Sequence, residues 1–187
     1  MSIKAALSIL VAVATSVSVA GATIVADQVA KNAVVGAIVR NQRVPVLGDV
    51  LRLTNIRNSG AVFGIFRGAG SYFTLFSVVA AGVLLIVIFF ARRSSVFVKV
   101  SLGLVLGGAL GNLIDRLRFG AVIDFIDVGL GETARWPCFN IADAAITVGV
   151  VILIGNALRT SGSGTSDEGD EIDSGERDQG EDRQIPE

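Results

Sequence analysis

Histidine is absent from this chain of 187 residues, and there is a single cysteine, Cys138. The first absence excludes a His-based catalytic triad and the HExxH zinc site; the second excludes an intramolecular disulfide and a Cys-rich metal cluster. No Gly-rich loop of the phosphate-cradling kind occurs, and basic residues are dispersed rather than interleaved with aromatics, which makes nucleic acid a poor partner. Acids are scarce as well once the C-terminal end is set aside. Residues 160–187 hold ten Asp and Glu against two Arg, leaving fourteen basic and only seven acidic residues in 1–159. Any catalysis must come from Asp, Glu, Lys, Ser, Tyr or backbone groups.

What the chain has is apolar length. Hydrophobic residues make up 51% of it and the mean hydropathy is +0.65, values of a membrane protein rather than a soluble domain. Four runs approach the roughly 20 residues that cross a bilayer core: Ala5–Ala26, Gly68–Ala91, Val100–Ile114 with Lys99 snorkelling at its start, and Trp136–Leu158. The fold class expected is an integral membrane protein, mainly α, with four transmembrane helices. The first run reads as a retained span: Lys4 and "SVAGA" resemble a cleavable signal peptide, but 22 uncharged residues exceed its usual apolar core.

Between the first two runs, "VPVLGDVLRLTNIRNSGAVFGIF" mixes β-branched residues with Gly, Pro and Asn, predicting short strands and turns on the membrane surface. The third run carries Gly103, Gly107 and Gly111 at four-residue spacing, a stripe for close helix packing. The body 1–160 forms one membrane-embedded unit, and the polar, acidic, Gly-rich tail 161–187 is expected to be disordered. Charge counting leaves the orientation open, because Lys4, Arg92, Arg93 and Arg159 mark one side while Arg40, Arg43, Arg52, Arg57 and Arg67 lie on the other.

Five of the seven acids in the body fall at run boundaries or inside a run: Asp27, Asp115, Asp124, Asp127 and Asp143. Asp143 is the costliest, at roughly 2.5–3.5 kcal/mol for an Asp at the centre of a spanning helix, and intramembrane acids are functional by default. At 1.5 Å per residue it lies about 10 Å along its run from Trp136. Helical spacing puts Asn112, Asp115 and Arg116 on one face and Asn140 with Asp143 on another. With a short loop joining runs three and four, both faces meet at one boundary. The ordinary readings are an i, i+4 brace for Asp27 and Lys31, an interfacial ion pair for Asp115 and Arg116, and a solvated or capping carboxylate for Asp127. If Asp124 and Asp143 converge in a partly dry site, they share one proton, one acting as general base on water while the other polarises a carbonyl.

The segments DQVAK, NSGAVFG, GNLIDR, GAVIDFID and FNIAD, in this order on four membrane runs, closely resemble the lipoprotein signal peptidases, or type II signal peptidases, over roughly residues 7–158. The resemblance implies a bacterial inner-membrane aspartyl endopeptidase that cleaves prolipoproteins immediately before a diacylglyceryl-modified Cys, and a small extracytoplasmic β-structure between helices 1 and 2. By the family pattern the catalytic dyad is Asp124 and Asp143. Asn58, Gly60, Asn112, Arg116 and Asn140 match polar residues of the substrate channel, and Asp27, Lys31 and Asp115 join them as supports. Two roles are open to Arg116: holding a substrate carbonyl, or bracing the dyad through Asp115. The resemblance also implies both termini in the cytoplasm, a site near the outer leaflet, contact with membrane lipids, and inhibition by globomycin-type cyclic peptides. No cofactor or metal is implied. Val62 stands where a small residue is common, and Cys138 is expected to be a packing residue.

Two rival readings are weaker. "VLGDV" at 46–50 has the Gly-Asp of a GxGD intramembrane protease, but Val46 replaces the first Gly and the segment is outside every run. A proton-coupled transporter would spread its acids through the bilayer depth and show broken-helix repeats; here the acids gather at one boundary.

Overall fold

The structure, a computed structural model, describes residues 3–60, 70–91 and 94–162. Eight elements follow in order: α1 (Ile3–Ala37), β1 (Arg43–Leu47), β2 (Leu51–Asn58), α2 (Gly70–Phe90), α3 (Val96–Phe119), β3 (Val122–Leu130), β4 (Ala134–Arg135) and α4 (Ile141–Gly162). Each of the four helices contains a stretch long and apolar enough to cross a membrane. Their outward faces carry exposed Leu75, Phe76, Val79, Ile86, Val151 and Ile154, the surface that a bilayer covers.

The organising helix is α3. Half of its span is buried against its neighbours, compared with 22% for α1 and 11% each for α2 and α4. The glycine stripe explains how. A Cβ on Gly103 would sit 2.6 Å from the Ser16 carbonyl oxygen, and one on Gly107 2.7 Å from that of Ala20, so the backbones of α1 and α3 touch where any side chain would separate them. On the other flank Gly108 meets the Ala142 carbonyl and packs α3 against α4. Ser95 caps the start of α3 by accepting from the Val98 N–H, and Gly120 ends it in the left-handed conformation (φ 68°) with its N–H on the Arg116 carbonyl.

α3 extends beyond the run Val100–Ile114 at both ends, and two further boundaries that differ from the sequence expectation bear on the acids. α1 continues eleven residues past Ala26, because the charges that follow are satisfied inside the bundle and give the helix no reason to stop. α4 begins at Ile141 rather than Trp136, so Asp143 lies in its first turn, not about 10 Å down a span. Of the tail, Ser161 and Gly162 complete α4, and 163–187 lie outside the described residues.

The β-structure expected between helices 1 and 2 is present as β1 and β2, but it is only half of a sheet. The connection from α3 to α4 is not a short loop: β3 and β4 complete an antiparallel four-stranded sheet in the order β1-β2-β3-β4. "VIDFIDV" is rich in β-branched residues and pairs with the open edge of β2, with Ile56 opposite Asp124 and Asn58 opposite Val122. Phe125 packs with Val34 of α1 and Ile38 just past its end, seating the sheet on the end of the bundle. At the β2 bulge Asn55 donates its amide to the Ile38 carbonyl at 2.9 Å, which ties the two together.

Candidate active site

The site forms where the sheet meets the ends of α1 and α3 and the start of α4. Its placement begins with Phe139, whose carbonyl accepts from the N–H groups of Phe125 and Ile126 and whose own N–H donates to the Ile126 carbonyl. This pins the segment before α4 along β3, so the next residue, Asn140, lies beside Asp124. Asn140 also caps α4. Its Oδ1 accepts from the Asp143 N–H at 3.0 Å while its own N–H donates to Asp143 Oδ2 at 3.2 Å, a reciprocal capping box. The acid thus sits at a helix N-terminus, where the helix dipole favours negative charge.

Asn140 joins the two acids. Its Nδ2 donates to Asp124 Oδ1 at 2.8 Å and lies 3.2 Å from Asn112 Oδ1, and Asn112 Nδ2 donates to Asp143 Oδ1 at 2.8 Å. The remaining oxygen of Asp124 accepts from Asn58 Nδ2 at 3.0 Å, and the Gly60 N–H on Asn58 Oδ1 orients that amide. Four elements therefore contribute to one pair of carboxylates: β2 with Asn58, α3 with Asn112, β3 with Asp124, and α4 with Asp143 and its cap. Both oxygens of each acid are held by nitrogen donors, which fixes the two planes relative to one another.

Asp124 is almost fully buried. Burial, reinforced by the negative charge of Asp143, pushes its pKa up from 3.8 to about 7, against the opposing effect of the Asn58 and Asn140 amides and the Lys31 charge. At neutral pH this carboxyl keeps its proton in about half the molecules, as a shared-proton pair requires. Cys138 lies nearby but is no nucleophile: burial and the charges of Asp124 and Asp127 push its thiol up to about 12.

Beneath this layer is a buried charge cluster. Lys31 Nζ lies 2.7 Å from Asp27 Oδ2 and 2.8 Å from Asp115 Oδ2, and donates to Asn112 Oδ1 at 3.1 Å. Asp27 and Lys31 are thus more than a surface brace, since both are buried. The expected pair of Asp115 with Arg116 is replaced: Asp115 turns toward Lys31 and Gln28 on α1, which carry the donors it needs in the dry interior. Arg116 donates to its own helix at the Asn112 carbonyl (3.4 Å) and stays in electrostatic range of Asp143, Asp124 and Asp115. Asp127 is not solvated either. It is buried in the sheet and paired with Arg135 Nε at 2.6 Å.

The structure brings together Asp27, Lys31, Asn58, Gly60, Asn112, Asp115, Asp124, Asn140 and Asp143. Of NSGAVFG, residues 61–64, including Val62, lie outside the described residues. Sequence reasoning passed over Gln28, whose amide reaches Asp27, Asp115 and the Gly111 carbonyl; its signal was an uncharged polar group between two acids' helices in DQVAK. Arg135 had no sequence signal, because only the β3–β4 turn brings it to Asp127. The Gly-Asp of VLGDV is in the β1–β2 turn, with Asp49 on Arg52 and outside the four spans.

Fold and site together define a multi-pass membrane protein with a buried carboxylate pair at one mouth of its helical bundle. The family profile described as Signal peptidase (SPase) II matches residues 19–159. The lipoprotein signal peptidase of Syntrophus aciditrophicus is 43% identical over 140 residues, covering 72% of this chain and 86% of that protein. That of Halothermothrix orenii is 41% identical over 131 residues, covering 70% and 86%. A bacterial membrane enzyme solved in meso at 2.3 Å resolution superposes with a TM-score of 0.75 at 31% identity, over 83% of this chain and 94% of that one. The chain belongs to the signal peptidase II family, and is a peptidase of the bacterial membrane.

Proposed function

We propose that the protein removes signal peptides from diacylglyceryl-modified prolipoproteins, cleaving on the N-terminal side of the lipidated Cys with Asp124 and Asp143 as an aspartyl dyad. The observation that carries this reading is Asn140, which bonds to both acids at once and holds them as a pair. Asp124, the more buried, bears the proton. Asp143, whose oxygens accept from Asn112 and the Asn140 backbone, is the base.

The chemistry balances on these two groups alone. Asp143 takes a proton from water as the water oxygen bonds to the scissile carbonyl carbon, and Asp124 gives its proton to the carbonyl oxygen. The resulting gem-diol collapses when Asp143 returns its proton to the leaving nitrogen and Asp124 recovers one from the hydroxyl. The C–N bond breaks and the dyad is restored. Asn58, Gly60, Asn112, Arg116 and Asn140 line the approach, and Arg116 is free to meet a substrate carbonyl.

The acids sit at the mouth of the bundle because the substrate's lipid holds the scissile bond near the membrane surface. We place this mouth at the outer leaflet, with both termini in the cytoplasm. The charges support that orientation: Arg43, Arg52 and Arg135 at the sheet end have acid partners, and Arg57 and Arg118 stack on Phe119. Lys4, Arg92, Arg93, Lys99 and Arg159 flank the opposite helix ends in sequence, as a cytoplasmic face requires. Residues 1–160 are the peptidase unit, to which the acidic tail 161–187 is an appendage.

The test uses purified full-length protein in lipid with a diacylglyceryl-modified prolipoprotein, following release of the signal peptide by mass. Cleavage before the modified Cys, abolished in folded Asp124→Asn and Asp143→Asn and blocked by a globomycin-type peptide, is the expected result. An intact substrate under conditions where a family enzyme cleaves it would overturn the reading.

A further inference from the structure

Lys31 has three ammonium protons and three acceptors, with 1% of its side chain exposed. What stands behind each acceptor is the informative feature. Asp27 accepts the N–H of Ala142, the residue before Asp143, at 3.0 Å. Asp115 accepts the N–H of Ile123, the residue before Asp124, at 3.1 Å. Asn112 donates to Asp143 Oδ1 at 2.8 Å. Each of the three bonds made by one ammonium group therefore ends, one hydrogen bond later, on the backbone beside an acid of the pair or on the acid itself.

We propose that Lys31 is the positioning residue of the dyad: through Asp27, Asp115 and Asn112 it clamps the chain beside each acid and sets the separation and orientation of the two carboxylates. This inference rests on the dyad reading and deepens it.

The physical argument has three parts. A buried ion triad adds little net stability over apolar residues of the same volume, because desolvation offsets the attraction. Three charged side chains in one bilayer-spanning bundle therefore point to geometry rather than cohesion. The ammonium also donates without accepting, so Asn112 must present Oδ1 to Lys31 and Nδ2 to Asp143. That one-way order is the one an ionised base requires. Finally, the two backbone tethers come from different elements, α4 and β3, so Lys31 adds from a third element, α1, a link between them beside the direct one that Asn140 makes. Without Lys31 the tethers from α1 lose the ammonium that orders them and Asn140 is left to span the pair, and displacements near 1 Å are worth about a hundredfold in rate.

The experiment compares full-length wild type, Lys31→Met and Lys31→Arg in lipid, measuring kcat, KM and the pH profile on the lipid-modified substrate beside thermal unfolding. Positioning predicts a folded Lys31→Met protein with kcat reduced at least about thirtyfold and KM changed by less than about threefold. Lys31→Arg should fail to restore kcat, because a planar guanidinium cannot reproduce three tetrahedral directions. Asp124 is faced by Lys31 from α1, Asn58 from β2, Arg116 from α3, Cys138 and Asn140 from the segment before α4, and Asp143 from α4. Loss of the Lys31 charge removes an influence that favours ionisation, so the alkaline limb of Lys31→Met should move to higher pH and that of Lys31→Arg should not.

Wild-type kcat in Lys31→Met, or a loss confined to KM, overturns the proposal. Should Lys31→Met not fold, Lys31→Met with Asp27→Asn keeps the net buried charge and leaves Asp115 with Gln28 and Ile123. Normal kcat in that folded double variant, or failure of both to fold, makes the triad scaffold only and sinks the proposal. Asp124→Asn and Asp143→Asn run in parallel separate the two ideas: activity surviving in them refutes the dyad, whatever Lys31 does.

Discussion

Replacing Asp124 with Asn should stabilise the protein increasingly as pH rises, because the buried carboxyl is held at a cost. Its pKa is about 7 in the fold against 3.8 for a solvated Asp. A carboxyl whose pKa is raised by folding contributes stability that is complete below the unfolded value and is lost as pH rises through the folded one. Between about pH 5 and about pH 8 the unfolded chain is already ionised at this position while the folded chain gives up its proton. The wild type then loses roughly 2–3 kcal/mol from this group alone. The amide has nothing to lose. Asp124 accepts from Asn58 on one oxygen and Asn140 on the other, so the introduced NH2 must oppose one of these donors, at about 1–3 kcal/mol. That cost is the same at both pH values and cancels in the difference. The measurement is thermal unfolding of wild type and Asp124→Asn in the same lipid across this pH range. The gap in Tm should open in favour of the variant by roughly 5–10 °C, taking about 2–4 °C per kcal/mol for a chain of this size. Parallel curves would refute the claim that this carboxyl is protonated by burial.

In the proposed mechanism catalysis follows the same titration with opposite consequence: kcat falls as pH rises through about 7, where Asp124 loses the proton that this mechanism has it donate, and a plateau persisting two units above that would contradict the assignment. Gly107→Ala should cost about 1–3 kcal/mol, since its Cβ would lie 2.7 Å from the Ala20 carbonyl oxygen. Gly82→Ala, with open space around it, is the control, and equal unfolding of the two would show that α1 and α3 are not in backbone contact. Arg135→Met should destabilise by about 3–5 kcal/mol by stranding the buried Asp127, and a second change, Asp127→Leu, should recover most of it; an additive loss would mean that the pair is not the reason.

By itself the sequence determined the four spans, their packing stripe and most of the polar residues that the structure gathers at the mouth of the bundle. Apolar length is a local property, and a bilayer imposes one solution on it. Gly103 and Gly107 were legible as close-packing positions because spacing alone puts them on one face of α3. The acids stood out because a charge in an apolar run costs energy wherever the chain goes. Where each element ended was less legible. α1 ran on through Asp27 and Lys31, and α4 started at Ile141, because those limits depend on partners that lie far away in the chain. The segment 120–140 read as a connection, yet its β-branched residues needed the edge of β2 before they could be a strand. Partner choice was decided by the tertiary structure alone. Asp115 is next to Arg116 in sequence but bonds to Lys31, eighty-four positions earlier, and Asp127 finds Arg135 across a turn. In a medium without water to satisfy a charge, each acid goes to the donor that packing brings to it, and sequence distance carries no information about which that is.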